Sequence, residues 1–156
     1  MSVLIDGNNL LFALSGAGCD LERQGLARLL SRVLARQERV HVVFDGPPPS
    51  GPLADPVVAE GVRVTFSGKG PADGIIIKLI AADSAPRQLT VVSTDHEIRR
   101  AAHRRRCKIA LSEEFARLLL HAQRAGEKPK PGEEEKKPDG LSPEQVQKWL
   151  DEFGLG

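Results

Sequence analysis

The sequence predicts an α/β fold: three layers, helix–sheet–helix, around a mainly parallel sheet. Short runs of β-branched and apolar residues alternate with longer stretches whose apolar residues recur at helical spacing. Glycine, proline or aspartate punctuates each run. Strands separated by helices pair in parallel through right-handed crossovers, which lay helices on both faces of the sheet.

Ser2–Asp6 reads as a short buried strand, and Leu21–Gln37 as a helix with Leu26, Leu29, Leu30, Val33 and Leu34 on one face. Val40–Asp45 is the second strand, halted by Gly46-Pro47-Pro48-Pro49, which can continue neither element. Gly61–Phe66 is the third strand and Ala72–Ala82 the next helix. Leu89–Ser93 is the fourth strand, followed by a helix over Asp95–Arg105. Lys108–Leu111 makes a weak fifth strand, and Glu113–Arg124 a further helix.

At 156 residues the chain has room for one ordinary domain, expected over residues 1–125. From 126 to 140 the composition turns to Lys, Glu, Pro and Gly, which reads as a solvated linker. Over 141–156, Ser142 as N-cap, Pro143 and Gln145 start a short helix. It carries Val146, Trp149, Leu150 and Phe153 on one face. Such a helix folds back onto the core or docks into the groove of a protein partner; the residues alone leave both open.

No apolar run approaches the roughly 20 residues that span a bilayer. The opening reaches an acid almost at once, without a basic region or a long apolar stretch, so no secretion signal is read and cytoplasmic residence is the default. Cys19 and Cys107 have no Cys or His at metal-site spacing and are expected as small core fillers. Net charge is only +1, yet residues 99–108 hold six Lys or Arg and no acid. A near-neutral protein with one basic stretch can still attract phosphates.

The acids carry the chemistry. Three predicted strands run straight into a carboxylate, at Asp6, Asp45 and Asp95, and Asp73 opens the helix after the third strand. In a parallel sheet all four lie on one rim, where ligands gather. Close like charges raise one another's pKa. A divalent cation relieves the conflict, and oxygen-only ligands select a hard ion, Mg²⁺ or Mn²⁺. Such an ion with open positions suits phosphodiester hydrolysis. Each acid also has a plain structural explanation. Asp6-Gly7 and Asp45-Gly46 are turn dipeptides, Asp73 favours a helix N-terminus, and Thr94 with Glu97 would form a capping box beside Asp95. Their joint occurrence at strand ends favours the metal reading. Asn8 and Asn9 supply amides beside Asp6, Ser93 and Thr94 supply hydroxyls beside Asp95, and Lys69 sits in the loop before Asp73.

Leu4-Ile5-Asp6-Gly7-Asn8-Asn9-Leu10, Val43-Phe44-Asp45-Gly46, Ala72-Asp73 with Ile76 to Ile80, and Val92-Ser93-Thr94-Asp95 with Ile98-Arg99 resemble the NYN domain in that order. The match is to the YacP-like branch of the PIN-like nuclease superfamily, over about residues 2–123. The resemblance implies a central strand order 3-2-1-4-5 and Mg²⁺- or Mn²⁺-dependent cleavage of RNA. It also implies that Asp6, Asp45, Asp73 and Asp95 form the acidic cluster, with Asn8 and Ser93 beside it. The chain departs from that pattern in the acid-free loop 67–72 and in the short proline-rich stretch 47–56.

Arg99, Arg100 and Arg104 follow Asp95 on one helix and, with Lys69, are the expected contacts to RNA, single-stranded by preference. Phosphate contacts of this kind bring salt dependence without sequence choice. Tyrosine is absent, and Phe12 is expected in the core, so stacking platforms for bases are sparse. The glycine spacings of Rossmann and P-loop sites are not met. The four histidines form no nucleophilic triad, and Ser93 lies in no Gly-x-Ser-x-Gly elbow. The rival reading is a PIN-like fold kept as an RNA-binding or assembly module without catalysis. A homodimer is left open.

Overall fold

The computed structural model describes residues 2–35, 39–47, 57–59 and 61–125. The linker expected over 126–140 and the helix expected over 141–156 lie outside the described residues.

Along the chain come β1 (Ser2–Asp6), α1 (Gly7–Gly16), α2 (Arg23–Val33), β2 (Arg39–Phe44), β3 (Val57–Ala59) and β4 (Val62–Phe66). There follow α3 (Ala72–Ala82), β5 (Leu89–Val92), α4 (His96–Arg104), β6 (Lys108–Ala110) and α5 (Ser112–Ala125). The sheet order is β3-β4-β2-β1-β5-β6. All pairings are parallel except β3 with β4. The five strands read from the sequence therefore take the order 3-2-1-4-5, and β3 is an antiparallel edge addition that the reading lacked. The hairpin it forms turns at Gly61, whose φ of +87° favours glycine.

Period-two alternation divides the sheet's side chains between two cores. Val3 and Ile5 of β1, with Val42 and Phe44 of β2, face one layer. Leu4 and Val43 face the other. The first layer holds α1, α2 and α5 through Leu10, Leu14, Leu26, Leu29, Leu30, Phe115 and Leu118. The second holds α3 and α4 through Ile76, Ile80, Ile98 and Ala102. Strands covered on both faces read as near-continuous apolar runs, which is why β1, β2 and β5 were legible.

α1 was not expected. Its first residues, Gly7-Asn8-Asn9, are turn formers, and they masked the helical spacing of Leu10 and Leu14, both fully buried. Burying those two leucines contributes about 1.5–3 kcal/mol each, enough to hold a helix with a poor start. Gly7 is required for packing. A Cβ there would stand 2.5 Å from Phe44 Cδ1 and 2.8 Å from Val42 Cγ1, so only glycine lets α1 begin this close to β2.

Phe12, expected in the core, is instead 82% exposed. It lies on the side of α1 opposite the Leu10–Leu14 stripe, and the helical period places it there once α1 exists. Cys107 is buried and Cys19 half-buried, both with free thiols; burial pushes the Cys107 thiol up, which makes it a poor nucleophile.

Candidate metal centre

The chain leaves β1 into α1 on one face of the sheet and leaves the neighbouring β5 into α4 on the other face. Adjacent strands whose connections diverge in this way open a crevice at their carboxyl ends, the usual ligand position in such sheets. Asp6 ends β1 and Asp95 caps α4 just past β5, so both carboxylates stand at that position.

Each has a structural duty. Asp6 Oδ1 accepts the N–H of Asn9 at 3.4 Å and caps α1. Asp95 Oδ1 accepts the N–H groups of Glu97 and Ile98 at 2.9 and 3.1 Å and caps α4. The capping box expected of Thr94 does not form; Asp95 itself is the N-cap. Fully buried Ser93 joins the pair: its Oγ donates to Asp6 Oδ2 at 3.3 Å and accepts the Asp95 N–H at 3.0 Å.

Asp45 stands across from them at the end of β2, with both oxygens engaged. Its Oδ1 accepts the N–H of Ala72, capping α3, whose N-cap Pro71 provides no side-chain bond. Its Oδ2 accepts from Asn8 Nδ2 at 3.1 Å. Asn8 Oδ1 is left buried with no hydrogen-bond partner among the described residues. A buried orphan acceptor is costly, and this one sits beside a carboxylate, where a cation or its water would satisfy it.

Electrostatics ties the three acids together. Burial pushes the Asp6 carboxyl up to about 6, and the charges of Asp45 and Asp95 add to the rise against the Asn9 and Ser93 hydrogen bonds. Three carboxyls therefore share one edge, and burial makes charge on Asp6 costly.

Asp73 is placed differently. It opens α3 one residue after Ala72, half-buried, and its Oδ1 accepts the N–H of Gly74 at 2.9 Å. Among the described residues no hydrogen bond joins it to Asp6 or Asp95, and no three Asp, Glu, His or Cys side chains are gathered closely enough to hold one ion. The donor set is all oxygen, as Mg²⁺ and Mn²⁺ require. Mg²⁺ also keeps several waters and needs only one or two carboxylates from a protein. The residues fit such an ion without forming a closed cage.

A second polar network holds the Asp95 loop. Asn9 Oδ1 accepts the Thr94 N–H at 3.0 Å and the Ser112 hydroxyl. The Ser112 N–H donates to Thr94 Oγ1 at 3.2 Å, and Thr94 Oγ1 donates to Glu113 Oε2 at 2.7 Å. The starts of α1, α4 and α5 are thereby fastened together. The sequence reading misses Ser112 and Glu113, although they follow β6 after a single residue, Leu111, and repeat the pattern of polar groups just past a strand.

The expected RNA contacts separate. Lys69, Arg100 and Arg104 are exposed, whereas Arg99 is half-buried, its Nε buried and without a partner among the described residues. Arg105 is structural: its Nη1 donates to the carbonyls of Ile80, Ala81 and Asp83 at 2.6, 2.9 and 2.8 Å, closing the end of α3. No described helix is long and apolar enough to cross a membrane.

Two crystal structures share the fold. Rae1 (YacP) from Bacillus subtilis is 21% identical, with a TM-score of 0.61 over 100% of this chain and 85% of that one. A tryptophan variant of the same protein is 22% identical, with a TM-score of 0.59 over 80% of this chain and 77% of that one. No curated protein sequence matches significantly. The YacP-like NYN domain matches residues 3–153, nearly the whole chain. The chain belongs to the YacP-like NYN domain family, a family of PIN-like nucleases.

Proposed function

We propose that the protein is an endoribonuclease that hydrolyses phosphodiester bonds with Mg²⁺ or Mn²⁺ held at the β1–β5 crevice. The observation that carries this reading is the gathering of acids at one sheet edge: Ser93 Oγ links Asp6 to the Asp95 N–H, Asn8 Nδ2 holds Asp45, and Asn8 Oδ1 stays buried without a partner among the described residues. A site that concentrates negative charge has no advantage for binding RNA unless a cation completes it.

Of Asp6, Asp45, Asp73 and Asp95, one or two would bind the ion directly and the others through its waters. When bound, it would supply positive charge against the scissile phosphate and the attacking water. The chain's own residues set the geometry. Ser93 fixes Asp6 relative to Asp95, Asn8 orients Asp45, and Thr94 anchors the loop through Asn9 and Glu113. Lys69, Arg99, Arg100 and Arg104 would lie along the path of a single-stranded RNA. RNA as the substrate follows from membership of a nuclease family, and cytoplasmic residence is the setting proposed for it.

The absence of three pre-gathered acids among the described residues favours a second reading, a non-catalytic RNA-binding module. One experiment decides. Purified protein, a labelled single-stranded oligoribonucleotide and either Mg²⁺, Mn²⁺ or a chelator should show cleavage only with metal. Asp6→Asn and Asp95→Asn should each abolish it with the far-UV circular dichroism unchanged. RNA binding without cleavage would establish the module instead, and cleavage undiminished in both variants would remove the acids from the mechanism.

A further inference from the structure

An arginine lies at the carboxyl edge of the sheet, away from the basic helix α4. Arg23 is the first residue of α2 and is exposed. Its guanidinium carbon stands 5.4 Å from the centroid of the Phe44 ring and 5.5 Å from that of Phe66. The two rings are themselves 5.8 Å apart and tilted by 30°. They occupy the last positions of β2 and β4, paired neighbours in parallel strands, and form a ledge beneath Arg23, with Phe44 fully buried and Phe66 half-buried, on the edge that carries the acids. Arg23 Nη2 also donates to the backbone carbonyl of Asp45 at 3.1 Å.

These contacts determine what the guanidinium can still do. A ring contact occupies the face of the group, while its five N–H bonds point outward in its plane. The Asp45 carbonyl uses one of them. The Asp45 carboxylate accepts instead from Ala72 N–H and Asn8 Nδ2. The positive charge is therefore held beside Asp45 through that residue's backbone carbonyl. Ordering a free arginine costs rotamer entropy; here the ring and carbonyl contacts already restrain it. A planar fork, preset and exposed, matches the paired oxygens of a phosphate.

We propose that Arg23 grips a backbone phosphate of the RNA adjacent to the scissile one, and that the Phe44–Phe66 ledge and the Asp45 carbonyl exist to aim it. The inference rests on the ribonuclease reading for its substrate, but the grip itself needs only RNA. It also alters the expected division of labour. Arg105 is consumed by α3 and Arg99 is partly inward, so the basic stretch on α4 offers less to RNA than its composition suggests.

The test compares Arg23→Met, which keeps the aliphatic packing, with Arg23→Lys, which keeps charge but lacks the fork. Binding of a fluorescent single-stranded oligoribonucleotide is measured by anisotropy across a potassium chloride series, in chelator, alongside thermal melts and cleavage kinetics in Mn²⁺. Arg23→Met should weaken binding about tenfold and reduce the slope of log affinity against log salt by about 0.7, the value for one phosphate contact on a single strand. KM should rise more than kcat falls. Arg23→Lys should restore the slope but not the affinity. An unchanged slope in Arg23→Met, whether or not the melting temperature drops, overturns the proposal and leaves Arg23 a packing residue. If the parent binds but does not cleave, a lost slope still supports the grip and only the catalytic reading falls. If the parent binds no RNA, both fall.

Discussion

Replacing Asp6 with asparagine should stabilise the metal-free protein while destroying its activity. The Asp6 carboxyl is raised from 3.8 to about 6, chiefly because burial strips water from it, with the charges of Asp45 and Asp95 contributing. A folded-state pKa above the unfolded one means that the native state binds the proton more tightly. The resulting stability is fully present below about 3.8 and is lost as pH rises through about 6. A rise of about two units corresponds to a ceiling near 3 kcal/mol. Solvent reaches part of this half-buried group, so about 1–2 kcal/mol is the working figure. Asparagine carries no charge to bury and keeps an oxygen to cap α1 through the Asn9 N–H. Urea denaturation followed by circular dichroism, in chelator, should show Asp6→Asn more stable than the parent near neutral pH. The gap should close as pH falls below about 4. His41 titrates in the opposite sense, since burial and then Arg63 lower it to about 4. It does so in both proteins, and the difference between them isolates Asp6. Adding Mn²⁺ should stabilise the parent more than the variant. An Asp6→Asn protein less stable than the parent at neutral pH in chelator would refute the argument, because the Asn9 and Ser93 bonds would then outweigh the charge.

Two further substitutions separate structure from chemistry. Gly7→Ala should cost about 1–3 kcal/mol, read by urea midpoint, because its Cβ collides with the Phe44 ring and Val42; a neutral or stabilising effect would show that α1 can shift without penalty. Arg105→Ala should lower stability by about 1–2 kcal/mol, a few degrees in Tm, with RNA affinity and its salt slope unchanged. A loss of affinity at unaltered Tm would return Arg105 to the RNA-binding set.

What could be read from the amino-acid order was whatever repeats locally. Strands covered on both faces must be apolar throughout, so β1, β2 and β5 announced themselves, and each ran visibly into an aspartate or a short polar loop. Amphipathic spacing did the same for α2, α3, α4 and α5. The four acid blocks were likewise local, and they sufficed for the family. α1 was lost because Gly7, Asn8 and Asn9 have the propensities of a turn, and only the tertiary contact of Gly7 with Phe44 explains why a helix begins there. The same omission misplaced Phe12. β3 is three residues long and is held by pairing with β4 rather than by its own pattern.

The site divides in the same way. Residue types at strand ends pointed to Asp6, Asp45, Asp73 and Asp95, but their partners come from distant positions. Ser93 reaches Asp6 across 87 residues, Ser112 reaches Asn9 across 103, and Asn8 reaches Asp45 across 37. Sequence by itself determined that acids would line one edge of a parallel sheet, because alternation and strand direction are local properties. Only the tertiary structure decided which of them share a crevice and which arginines are spent on carbonyls, because side chains meet through sheet order and helix docking, not through proximity along the chain.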